Sequence, residues 1–124
     1  MAKTYSDLFA EVRQSVKLMS LDELKARLEQ RQEKPFTLVD VREKDEFRAG
    51  FIPGAVHIPR GHLEMQAEQK LPDKNAEIVV YCRTGNRSTR VVEFLQDSGF
   101  EKVWNLTGGI RAWSQEIDPA VGKF

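Results

Sequence analysis

Residues Glu77–Phe100 read EIVVYCRTGNRSTRVVEFLQDSGF, and the order of residue types along this stretch decides the fold. Ile78, Val79, Val80 and Tyr81 form an unbroken apolar run without polar alternation, the pattern of a strand buried on both faces. Cys82 ends the run. A loop containing Gly85 follows, and RSTRVVEFLQDSGF then reads as a helix: Val91 and Val92 share a face with Leu95, and Gly99 closes it. A strand that feeds a helix through a short glycine loop is one unit of a parallel sheet, in which ligands gather at the carboxyl ends of the strands. The only cysteine of the chain stands at such an end.

Outward from this unit the same alternation recurs. FTLVDV (36–41) is a second doubly buried strand, FIPGAVHIP (51–59) a turn at Pro53–Gly54 and a short strand at Ala55–Ile58, and KVWNL (102–106) the last strand. KLM (17–19) is a short extended stretch. Between them, SLDELKARLEQ (20–30) opens with the capping box of Ser20 and Glu23, and Pro35 bars any helix beyond it. EKDEFRAG (43–50) predicts a short helix capped by Gly50 with a solvated charged face, and GHLEMQAEQ (61–69) and IRAWSQE (110–116) predict two more. At the N-terminus, Leu8, Phe9, Val12 and Val16 fall at helical spacing, and that apolar face must cover the domain or meet a partner, covering being favoured.

The expected fold class is therefore α/β, a central parallel sheet with helices on both faces and an extra N-terminal helix. The expected division is an extension over 1–16, the domain over 17–118 and a tail over 119–124. Trp104, Trp113, Met19 and Met65 are assigned to packing.

At 124 residues the chain is long enough to bury a core without disulfides or metal. Lys+Arg and Asp+Glu are both 19, so no bulk charge draws it to nucleic acid or an anionic membrane. One cysteine forms no internal disulfide, and His57 and His62 lack the companions of a zinc site. No cofactor or metal is implied. The lack of an apolar leader or span points to a reduced, cytoplasmic setting.

The chemistry gathers at Cys82. The amides of a glycine loop and the positive end of a helix face the sulfur, and Arg83, Arg87 and Arg90 add cations at the rim. Gly85 permits a left-handed backbone. Such surroundings favour thiolate over thiol, giving a nucleophile suited to an anionic substrate.

Four stretches, taken in order, resemble the rhodanese-like domain, the single-domain sulfurtransferase family: LVDVREKDEFRAGFIPGAVHIP, VVYCRTGNRS, FLQDSGF and VWNLTGGIRAW. The resemblance runs from about Lys17 to Ile117. It implies that Cys82 takes a sulfane sulfur from a donor such as thiosulfate, carries it as a persulfide, and passes it to cyanide, a small thiol or a protein acceptor. It further implies that Arg83, Thr84, Gly85, Asn86 and Arg87 cradle the sulfur by their amides, that Arg87 holds the loop, and that Ser88 starts the helix and donates to the sulfur. Asp40 and Arg42 are implied as supporting residues. Phe51 departs from the family, which often has histidine there. A cysteine loop ending in arginine also resembles phosphatases and arsenate reductases, but their loops are longer than the four residues between Cys82 and Arg87. A non-catalytic binding module of the same fold is the remaining alternative.

Overall fold

The apolar runs become five strands in a computed structural model that describes residues 2–124. They are β1 (Leu18–Met19), β2 (Thr37–Asp40), β3 (Val56–His57), β4 (Ile78–Tyr81) and β5 (Val103–Leu106). The sheet order is β1-β5-β4-β2-β3, and every pair is parallel. The central position of β4 is the reason its sequence lacks polar alternation: Ile78, Val79, Val80 and Tyr81 are each fully buried.

Six helices cover the sheet: α1 (Tyr5–Ser15), α2 (Leu21–Glu29), α3 (Lys44–Ala49), α4 (Leu63–Lys70), α5 (Asn86–Asp97) and α6 (Gly109–Glu116). The period-two alternation of the strands divides the core. Ile78, Val80 and Cys82 meet Val12 of α1 and Val16 just after it, Leu63 of α4, and Val91, Val92 and Leu95 of α5. Val79 and Tyr81 point the other way, towards Leu24 of α2 and Ile110 and Trp113 of α6. Each fully buried Val or Leu contributes about 1.5–3 kcal/mol relative to exposure. The N-terminal helix packs on α5 and buries Val12, with Val16 buried just beyond its end, whereas Leu8 of the same predicted face stays exposed.

Four local expectations change. Helix α5 begins at Asn86, so Ser88 lies within its first turn instead of starting it; Gly85, at φ +103°, takes the left-handed turn that sends the chain straight into the helix. Gly50 ends α3 without the left-handed cap geometry. It is required for close approach instead, because a Cβ there would lie 2.1 Å from the Val121 carbonyl oxygen. Met65 is exposed, since Leu63 and Ala67 form the buried face of α4 and Met65 falls between them on the opposite side. Residues 119–121 form a 3-10 turn that returns Val121 to the core beside Trp113.

Candidate active site

Cys82 follows β4 directly and is 1% exposed. Its Sγ accepts the Gly85 N–H at 3.1 Å and faces the Ser88 hydroxyl at 3.3 Å. The sulfur therefore sits inside the turn that opens α5, where the helix terminus adds partial positive charge. Outside the same turn, α6 clamps the backbone. The Ile110 N–H donates to the Cys82 carbonyl at 2.9 Å and the Arg111 N–H to the Arg83 carbonyl at 3.0 Å. The Gly-Gly pair makes this approach feasible: a Cβ on Gly109 would lie 2.5 Å from the Cys82 oxygen and 2.4 Å from the Arg83 oxygen. Both glycines have positive φ, +76° at Gly108 and +62° at Gly109.

A buried polar network completes the turn. The Thr89 hydroxyl donates to the Gly85 carbonyl at 2.7 Å, and Asn105 Nδ2 donates to that carbonyl at 3.1 Å and to Thr89 Oγ1 at 3.0 Å. This fixes the Asn105 amide, leaving Oδ1 to accept from Ser88 at 2.5 Å. Ser88 has one proton and two acceptors, Asn105 Oδ1 and Cys82 Sγ. Its proton therefore serves only one of the two at a time. Asn105 was not singled out from the sequence, although an amide between buried Val103 and Leu106 is a legible signal for a satisfied polar site.

Arg87 does not point into the cradle. Its guanidinium grips Glu46 of α3 with two bonds, Nη1 to Oε1 at 2.6 Å and Nη2 to Oε2 at 2.9 Å. Glu46 Oε1 also accepts the Glu43 N–H at 3.1 Å. The Arg87 hydrogen bonds, the Glu43 amide and the nearby guanidinium charge outweigh desolvation and lower the Glu46 carboxyl to about 2. The hydrogen bonds and charge of the Glu46 carboxylate outweigh desolvation and hold the Arg87 guanidinium above its ordinary range. The charged face of EKDEFR is therefore not merely solvated; Glu46 latches α3 to the start of α5. Arg83, Thr84 and Asn86 line the exposed rim of the loop.

Asp40 and Arg42 come together with each other and not with the thiol. Asp40 pairs in register with Tyr81, which faces the core opposite the one that holds Cys82. There the fully buried carboxylate accepts the Arg42 amide at 2.9 Å, Nε at 3.1 Å and Nη2 at 2.7 Å. Arg42 Nη2 also reaches the Gly50 carbonyl at 2.6 Å. Burial, with the Asp40 charge beside it, pushes the Tyr81 phenol far up and keeps it protonated; its oxygen accepts the Ile52 N–H at 3.1 Å. Phe51 stacks on Phe47 at 4.3 Å, and Phe47 stacks in turn on His57.

Fold and site together define a parallel α/β domain that holds a buried thiol at a strand end, inside a turn of converging donors. The chain belongs to the rhodanese-like family: the family model described as Rhodanese-like domain matches residues 20–116. The chain is 40% identical over 104 residues to a Bacillus subtilis protein named "Putative sulfurtransferase YtwF", covering 84% of this chain and 96% of that one. A crystal structure of a rhodanese-like domain protein from Staphylococcus aureus superposes with a TM-score of 0.71 at 35% identity, over 82% of this chain and 95% of that one. A Rhodopseudomonas palustris protein of unknown function, called a possible tyrosine phosphatase, covers 100% of this chain and 96% of its own at a TM-score of 0.81. At 23% identity its likeness speaks to the fold alone. The family and the Bacillus relative support sulfur transfer as the general activity.

Proposed function

We propose that this protein moves a sulfane sulfur from a donor such as thiosulfate to a thiophilic acceptor, cyanide or a thiol, through a persulfide on Cys82. The observation that carries this reading is the sulfur's position, with the Gly85 amide and the Ser88 hydroxyl at 3.1 and 3.3 Å. In the first step the Cys82 thiolate attacks the outer sulfur of thiosulfate, an S–S bond forms, and sulfite leaves with the electron pair of the broken bond. In the second step cyanide or a thiolate attacks the outer sulfur of the persulfide, and Cys82 leaves as thiolate. The donors that hold the thiolate also stabilise Sγ as the leaving group of the second step. Arg83, Thr84 and Asn86 offer their amides to the incoming anion, and Arg87 keeps the turn closed through Glu46. Asp40 and Arg42 support the fold behind the site. The short loop, with four residues between Cys82 and Arg87, favours a single sulfur over a phosphoryl group. A free thiolate of this kind belongs in a reducing compartment, and we place the protein in the cytoplasm.

Intact-protein mass spectrometry tests the proposal. Wild-type protein treated with thiosulfate gains one sulfur atom, which cyanide removes. Cys82→Ser, nearly isosteric but without an ionised sulfur, gains none and unfolds at the same temperature. Sulfur gained by that variant, or none gained by folded and reduced wild type, refutes the mechanism with this donor.

A further inference from the structure

Beside the cysteine turn lies an open pocket of about 240 Å³ lined by Tyr5, Phe9, Arg60, Asn86, Arg87 and Arg90. It shares Asn86 and Arg87 with the loop, so it adjoins the first turn of α5, the turn that closes over the sulfur. Tyr5 and Phe9 belong to α1, outside the span matched by the family model. Their rings stack at 6.2 Å, and the Arg90 guanidinium lies 5.7 Å from one ring centroid and 5.6 Å from the other. The two rings thereby orient Arg90 at the rim.

Three guanidinium groups line this pocket, and no acidic side chain does. Arg87 is bound to Glu46, and Arg90 has Glu93 at 3.5 Å. Arg60, exposed, has no carboxylate at ion-pair distance among the described residues. The pocket therefore offers one unpaired cation, Arg60, and a second, Arg90, held only at 3.5 Å by Glu93, together with two aromatic rings for an apolar body. A small inorganic anion would use the cations and leave the rings unused.

We infer that the pocket between α1 and α5 is the acceptor subsite, and that it selects a small organic thiol bearing carboxylates, held by Arg60 and Arg90 with its body against Tyr5 and Phe9. The inference rests on the persulfide reading above. The acceptor's thiolate attacks the outer sulfur of the Cys82 persulfide and a new S–S bond forms. The bond to Cys82 breaks, its electron pair stays on Cys82, and the acceptor's thiol proton passes to solvent. The sulfur moves as the neutral atom, so no oxidant or reductant is consumed.

The test loads the protein with thiosulfate, removes the excess, and follows loss of the added sulfur to three acceptors: glutathione, its diethyl ester and cyanide. At low salt, wild type is expected to react about tenfold faster with glutathione than with the ester, which lacks both carboxylates and keeps only the ammonium charge, and salt should shrink that ratio. Arg60→Gln and Tyr5→Ala, both at exposed positions, should each slow the glutathione reaction about fivefold while the cyanide reaction stays within twofold. Equal rates for glutathione and its ester in wild type overturn the inference while leaving the persulfide intact. So do variants that alter only the loading step, which would assign these residues to the donor. Failure to load sulfur, or failure of cyanide to remove it, overturns the persulfide reading and this inference with it.

Discussion

At the scale of single residues the site depends on an amide that makes no contact with the sulfur. Asn105 is 3% exposed and satisfies three groups, the Gly85 carbonyl, Thr89 and Ser88. Replacing it with alanine leaves buried partners unpaired, at about 1–3 kcal/mol, and frees the Ser88 hydroxyl from its alignment. We expect Asn105→Ala to lower the urea midpoint and to slow sulfur loading about tenfold. Because Asn105 acts through Ser88, the same change in a Ser88→Ala background should slow loading little further. Additive losses would show that Asn105 acts only by stabilising the fold. Cys82 and Gly85 were legible because their chemistry is local: a thiol at a strand end and a glycine in the turn that follows it. The partners of Asn105 and Glu46 were not, because they lie 17 and 41 positions away.

At the scale of elements, apolar runs located β2 and β4, and their lack of alternation correctly marked both as buried on both faces; the two-residue β1 was read only as an extended stretch, and β3 was placed after the turn at Pro53–Gly54. Helix starts were less legible. The first turn of α5 contains Asn86 and Arg87, polar residues that resemble loop until the left-handed Gly85 is placed before them. That early start orients Arg87 towards α3 and creates the latch with Glu46. The Glu46 carboxyl is lowered to about 2 by this pairing, so its contribution is fully present above the ordinary value of 4.5 and is lost as pH falls towards 2. Both side chains are about one-third exposed, and solvent and salt keep the contribution small. Glu46→Gln should therefore lower the urea midpoint most above pH 4.5, with the gap to wild type narrowing steadily below it. A gap that does not change with pH would mean that Glu46 stabilises α3 by shape or capping and not by its charge.

Across the whole molecule the sheet separates chemistry from support. Cys82 faces the core closed by α1, α4 and α5, whereas Asp40, Arg42 and Tyr81 sit on the other face, where the chain returns at its C-terminal end. Arg42 ties three segments there: its neighbour Asp40 at the end of β2, the Gly50 carbonyl after α3, and the distant Phe124, whose ring lies 5.2 Å from its guanidinium. The sequence placed Asp40 at a strand end, which is correct, but strand register decides the face, and register is a property of pairing that no single strand reveals. A buried pair of this kind is costly to break and cheap to replace as a unit. Arg42→Met alone strands a buried carboxylate and should cost about 3–5 kcal/mol in urea unfolding. Asp40→Leu combined with Arg42→Met should recover most of that loss, because no charge is then left without a partner. In both proteins the folded fraction should still gain sulfur from thiosulfate, since the pair and the thiol occupy opposite faces. If the single variant is as stable as wild type, Asp40 has found another partner or a proton. If the stable double variant fails to load sulfur, the pair acts on the turn itself, through β2 and its neighbour β4, and the separation of the two faces is incomplete.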